Sequence, residues 1–268
     1  MVLKVGVFGT CRVHEPIRAM HREGRIVHML DPTFGFMHTP QEMLQALSIL
    51  RRERVPPAAI SDLVSIQDSA TLAGANDLFA AHYGEADVIG VEISSLRYAV
   101  YDGWALQVNR VRDRLLAAGM EMSVPYSAIV GGTALPEEDE LLLAERDPLL
   151  LDVMKSRQFY SMSRADLKDS VEKLIVAIGK PVLLIGHFVD TGPFKGINPS
   201  RQLIAEVLQE IADEQETVGF LDPTGHISAF GFERALADDS HYTSKYFVRA
   251  GDKIVRASRE VYLTNQPQ

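Results

Sequence analysis

Residues 2–16 read VLKVGVFGTCRVHEP, and this stretch sets the architecture. Val2–Phe8 is short, mostly apolar and stopped by Gly9, as expected of a β-strand buried on both faces. The same stretch carries the only cysteine of the chain, Cys11. Two readings of it compete. It is either a reactive thiol at the mouth of a strand or a small apolar filler, since free cysteine is among the most buried residue types.

Working outward, strands alternate with helices. Pro16–Glu23 is predicted helical and closed by Gly24, and Ile26–Leu30 is a second strand halted by Asp31-Pro32. Thr39, Pro40 and Glu42 form a helix start that continues through Met43, Leu44, Leu47 and Leu50. Asp87–Ile93 reads as a third buried strand, and Ala105–Ala118 as an amphipathic helix ended by Gly119. Ser163 caps a helix over Arg164–Ile178 that leads into the strand Pro181–Ile185. Ser200 is expected to cap a helix reaching about Glu216, before a last strand, Thr217–Leu221, and a final helix from near Ser244. Five strands with intervening helices predict an α/β fold, a three-layer α/β/α sandwich around a parallel, flavodoxin-like sheet.

The less regular piece is a helical insertion around residues 126–162, whose LPEEDELLLAERDPLLLDVMKSRQF (residues 135–159) is acidic and leucine-rich. It reads as a solvated helix face or as a helical cap over the site. With no repeat, low-complexity tract or clear linker, residues 1–268 are expected to form a single domain.

Composition narrows the function. Hydrophobic residues at 46% and charged residues at 24% suit a soluble protein with an ample core. A net charge of −9 argues against nucleic acid as a partner, because phosphate neutralisation needs clustered Lys and Arg. One cysteine precludes an internal disulfide. No leader-like segment or eighteen-residue apolar window is seen, so a cytoplasmic chain without a membrane partner is expected. No His/Cys spacing suits zinc and the carboxylates are scattered, which predicts no metal. Gly9-Thr10-Cys11 lacks the glycine-rich nucleotide patterns. The oligomeric state is not legible.

In an open parallel sheet, ligands bind beyond the carboxyl ends of the strands. The segments leaving those ends, Gly9–Arg12, 31–39, Ser94–Asp102, His187–Asn198 and Asp222–His241, are rich in His, Ser, Arg and Gly. Gly9 permits a sharp exit for Cys11, while a following helix start and Arg12 would favour its thiolate. A thiol nucleophile needs a base, and LADDSHYTSKYF places Asp238 three residues before His241. A carboxylate on one imidazole nitrogen fixes the tautomer that leaves the other basic. His38 is a pocket candidate or a helix-cap partner, Arg97 and Tyr98 line a pocket or face solvent, and His187 is a site group or a satisfied core histidine. The loop DTGPFKGINPS after His187 could close over a ligand.

VFGTCRV resembles the first block of the GDSL/SGNH hydrolases, with Cys11 at the serine position, and DDSHYT resembles their last Asp-x-x-His block at Asp238 and His241. More narrowly, Gly9-Thr10-Cys11, DPTFGFMHTPQEML and EISSLRYAVYDG are similar to blocks of the GSCFA-type branch, related to cysteine-bearing domains of capsular-polysaccharide biosynthesis that include the coenzyme A-binding WcbI type. The resemblance implies acyl transfer on an O-acyl group of a saccharide or similar small molecule. Cys11 would be nucleophile, His241 base and Asp238 its orienting partner, with no required cofactor and coenzyme A as an optional acyl donor. Oxyanion and substrate contacts would fall to Gly9, Thr10, Arg12, Gly35, His38, Ser94, Ser95 and Arg97. The chain departs from the pattern after the central strand: VEISSLRY has serines where those enzymes carry an oxyanion-binding asparagine. A second reading follows, a glycan- or partner-binding module that keeps the fold without turnover.

Overall fold

A computed structural model of the chain describes residues 2–29, 35–64, 81, 83–120 and 126–266. Five parallel strands, β1 (Leu3–Phe8), β2 (Ile26–His28), β3 (Val88–Glu92), β7 (Val182–Ile185) and β8 (Val218–Leu221), form one sheet in the order β2-β1-β3-β7-β8. This is the flavodoxin-like order expected, and its switch point lies between β1 and β3. Side chains alternate across it. Leu3, Val5 and Val7 point to the layer made by α1 (Cys11–Arg22) and α11 (Phe247–Thr264), while Phe8 joins the opposite core with α2 (Pro40–Leu50), α7 (Arg164–Ile178) and α8 (Pro199–Glu214).

The predicted helices over 40–50 and 164–178 form with those bounds. Thr39 accepts from the Glu42 amide, and Ser163 makes a reciprocal capping box with Asp166. Gly179, at φ +64°, ends α7 in the left-handed conformation. Other boundaries differ: the helix expected over Ala105–Ala118 begins only at Val108, because Ala105 belongs to a strand. Helix α1 starts at Cys11 rather than Pro16, because Thr10 caps it and Pro16 is carried inside. The cap of α8 is Asn198, whose Oδ1 accepts from the Ser200 and Arg201 amides, with Pro199 as the first helical residue. The β2 strand ends at His28, and the Asp31-Pro32 stop falls outside the described residues.

A second sheet was not expected. In it β4 (Arg97–Tyr101) pairs antiparallel with β5 (Trp104–Ala105) and β6 (Gln158–Ser161). Asp102 (φ +48°) and Gly103 (φ +74°) form the two-residue turn between β4 and β5, the Asp-Gly hairpin chemistry written openly in YDGW. The region expected to be a helical insertion therefore holds α4 (Tyr126–Val130), α5 (Glu137–Arg146), α6 (Pro148–Ser156) and also a strand, β6. The acidic first turn of α5 is largely solvated, and only Leu143 of that helix is buried. Helix α3 (Val108–Ala117) packs against α4 and is followed by Gly119.

The site's helix, α1, is held by α11. At Gly251 the two backbones come so close that a Cβ would lie 2.6 Å from Met20 Cγ and 2.7 Å from the Pro16 carbonyl oxygen. Glycine inside a helix costs about 1 kcal/mol relative to alanine, so close approach is what it supplies here. Gly251→Ala is expected to lose about 1–3 kcal/mol in urea unfolding, despite its better helix propensity. Unchanged or raised stability would show that the two helices can part without cost.

Candidate functional site

The site is built on one buried carboxylate. Glu92 ends β3, the central strand, and is only 1% exposed. Its Oε2 accepts from the Thr10 amide (2.8 Å) and the Thr10 hydroxyl (2.7 Å), and its Oε1 accepts from Arg12 Nε (2.6 Å). A charged group so far from water persists only when paired and hydrogen-bonded, and Arg12, itself buried, supplies the counter-charge. Gly9 is required by the same approach. Its φ is +154°, and a Cβ there would stand 2.8 Å from Glu92 Cβ and 2.9 Å from Val13 Cγ2.

Arg12 carries the restraint across the sheet edge. Its second nitrogen donates to the Ser240 carbonyl at 2.9 Å, joining the start of α1 to the loop before His241. Arg201 grips the same loop through the Asp239 carbonyl (2.7 Å) and the Ser240 hydroxyl (3.1 Å), and Lys195 pairs with Asp239. Both guanidiniums lie over the Phe188 ring, at 6.0 Å for Arg12 and 5.3 Å for Arg201. Burial, with Arg12 adding to it, pushes Arg201 down to about 10.

Within the loop, Asp238 and His241 pair as the sequence predicts. His241 Nδ1 lies 2.8 and 2.9 Å from the two Asp238 carboxylate oxygens, and Asp238 Oδ1 also accepts from the Ser240 and His241 amides. Burial works to raise the Asp238 carboxyl, but these hydrogen bonds outweigh it and hold it below its ordinary value. Both side chains are exposed, which leaves the imidazole accessible.

Cys11 is the first residue of α1 and is half-buried. Burial pushes its thiol above the ordinary value; Arg12 opposes this, while Glu92 and Glu15 reinforce it. In this state the cysteine is a neutral thiol at neutral pH, against the expectation that the helix start and Arg12 would favour the thiolate. Burial accounts for most of the difference, and the Glu92 and Glu15 charges add to it against Arg12.

The remaining candidates divide. The His38 carbonyl accepts from the Ser94 (3.0 Å) and Ser95 (3.1 Å) amides, tying the start of α2 to the end of the central strand. Those two amides are thereby occupied, and Ser94 Oγ is buried without a hydrogen bond. The Ser95 hydroxyl bonds the backbone of Arg97, whose side chain faces solvent. The His38 amide donates to Glu42 Oε2 at 3.1 Å, in keeping with a helix-cap role. Gly35 takes φ +74° with open space around it. His187 is buried, with Nδ1 3.2 Å from the Phe188 carbonyl, and burial followed by Arg12 holds it well below its ordinary value. It is a neutral core histidine.

Glu92 and Arg201 are the functional residues that the sequence reading passed over. Glu92 had a signal, a lone acid inside the otherwise apolar strand VIGVEI. Arg201 had none, since an arginine in the first turn of a helix is ordinary. Among the described residues, no group of three or more His, Cys, Asp or Glu side chains is placed to hold a metal ion, and no helix is long and apolar enough to cross a membrane.

Fold and site together define a parallel α/β protein with a cysteine at the first strand exit and an Asp-x-x-His loop at the same sheet edge. Over residues 3–257 the sequence matches the TviD N-terminal domain family, and the chain belongs to it. That family is named for a protein of Vi-antigen polysaccharide biosynthesis. No curated protein and no solved structure matches the chain.

Glu92→Gln leaves the Arg12 charge buried and unpaired and is expected to cost about 3–5 kcal/mol in urea unfolding. Adding Arg12→Gln should recover part of that loss. Strictly additive losses would mean that the two side chains are not coupled.

Proposed function

We propose that this chain serves polysaccharide biosynthesis as an acyl-transfer enzyme, acting on an O-acyl group of a saccharide or similar metabolite. The observation that carries this reading is the Arg12–Ser240 hydrogen bond, which fixes the residue after Cys11 to the residue before His241. In the proposed reaction the Asp238-bound imidazole of His241 takes the Cys11 proton through its other nitrogen. The thiolate attacks the acyl carbonyl, the alkoxide leaves as an alcohol after receiving that proton, and a thioester remains on Cys11. Water or a second sugar hydroxyl then attacks the thioester, regenerating the thiol. Cys11 makes no hydrogen bond to His241 among the described residues, and catalytic contacts of this kind often tighten only with substrate in place. The raised thiol suits this scheme, because an unactivated thiol needs a base. Coenzyme A thioesters are candidate donors and esters of sugars candidate substrates. The affinity of the fold with the SGNH and GSCFA groups belongs to the same proposal.

Support for a saccharide comes from Tyr98 and Tyr160, which stack at 5.1 Å and 15° beside an open groove lined by Gln41, Asp166 and Asp169. Aromatic faces with flanking polar groups suit a ligand that is apolar on one side and hydroxylated on the other. A different observation favours the binding-module reading. The Ser94 and Ser95 amides are committed to His38, and no asparagine stands in for them, so fewer donors remain for an oxyanion.

Turnover of aryl acetates, acetylated sugars and acetyl-CoA decides between the two. Wild type is expected to form a Cys11 thioester detectable by peptide mass spectrometry, and Cys11→Ala to abolish it. Asp238→Asn should lower kcat by at least about a hundredfold, within the usual contribution of general acid–base catalysis. Undiminished turnover in Cys11→Ala would remove Cys11 from the chemistry, and binding without turnover on every ester would establish the module.

A further inference from the structure

A second site lies on the outer side of α11. Between that helix and α9 (Thr224–Phe230), an open groove with about 320 Å³ of accessible space is lined by His226, Phe230, Arg249, Lys253 and Arg256, with Asp252 as its one carboxylate. That volume is in the range of small-ligand sites. Asp252 is already committed, since it pairs with Arg25 on the far side of the helix. Arg249, Lys253 and Arg256 have no ion-pair partner among the described residues, in a chain whose net charge is −9.

The arrangement breaks the rules that stabilise a helix. Arg249, Lys253 and Arg256 follow one another at spacings of four and three, so like charges are neighbours on one face. Arg249 also sits in the first turn of α11, which carries no acidic residue, against the sense of the helix dipole. Costs of this kind, with no ion-pair partner for the three cations among the described residues, are expected where a ligand supplies the missing charge. Two arginines are also held in place. Arg249 lies 4.8 Å and Arg234 4.5 Å from the centre of the Phe230 ring, so their planes are oriented before anything binds.

His226, Tyr246 and Lys253 also line a much smaller, mainly apolar pocket that reaches Arg12 and Glu92. We infer that the groove binds a phosphate- or pyrophosphate-bearing small molecule, the anionic group held by Arg249, Lys253 and Arg256. Phosphoryl oxygens match the need because guanidiniums bind them through paired, parallel hydrogen bonds, and three cations suit a group of more than one charge. This inference does not rest on acyl transfer or on Cys11.

Isothermal titration of the full chain with inorganic pyrophosphate at low salt tests it. Saturable binding is expected, weakening as salt is raised, and falling by about tenfold or more in Arg249→Gln/Arg256→Gln. Both side chains are exposed, so the fold should survive, and circular dichroism checks it. Arg249→Lys/Arg256→Lys keeps the charge without the paired donors and should fall between the two. Lys155→Gln, at a surface pair with Glu140, should bind as wild type does, and so should Cys11→Ala. A nucleoside diphosphate that binds more tightly than pyrophosphate extends the site beyond the phosphate groups; equal binding assigns the groove to the phosphate groups alone. Absence of saturable binding by either probe, or binding that the double Gln variant leaves intact, overturns the inference.

Discussion

The Glu92 carboxylate is the constraint on which the rest of this structure depends. It ends the central strand in a nearly dry environment, where an ionised acid is sustained only by full hydrogen bonding and a counter-charge. Thr10 and Arg12 provide both. To reach it they must leave β1 at once, which forces the glycine at position 9 and starts α1 at Cys11. Arg12, fixed at its Nε end, then has one direction in which to extend, and it meets the Ser240 carbonyl. A single buried charge therefore sets the position of Cys11, the helix start and the place of the histidine loop.

The same pair sets the electrostatics of Cys11. A lone arginine beside a helix N-terminal thiol would draw it toward the thiolate. Here burial outweighs Arg12, with Glu92 and Glu15 adding to it, so the thiol is held above its ordinary value. The arrangement favours the neutral form of the cysteine. Asp238 occupies one nitrogen of His241, and Arg201 and Lys195 hold the loop that carries both. The chain belongs to the TviD N-terminal domain family, named for a protein of Vi-antigen polysaccharide biosynthesis, and its Tyr98 and Tyr160 stack beside an open groove.

Much of this was legible in the sequence because it depends on local chemistry. Thr39-Pro40, Ser163-x-x-Asp166 and the apolar runs each determine their own element, so the helices over 40–50 and 164–178 and the five-stranded sheet follow directly. Asp238 and His241, three residues apart on one turn, are local as well. The start of α1 was not, because Pro16 reads as a first helical residue until Thr10 is seen to be anchored by an acid 82 positions away. Glu92, Arg201 and the β4–β6 pairing are long-range in the same way: nothing next to them in sequence says what they meet. The Asp102-Gly103 turn was the exception, a local signal that the sequence reading passed over.

The most direct measurement is the pH dependence of Cys11 alkylation by iodoacetamide in wild type and His241→Gln. If the clamp brings thiol and imidazole into one working pair, the wild-type rate shows a first rise that depends on His241 and a second at alkaline pH, as the free thiol ionises. The variant should keep only the alkaline rise. Superimposable profiles, both slow until alkaline pH, would contradict the account and return Cys11 to the role of a buried filler.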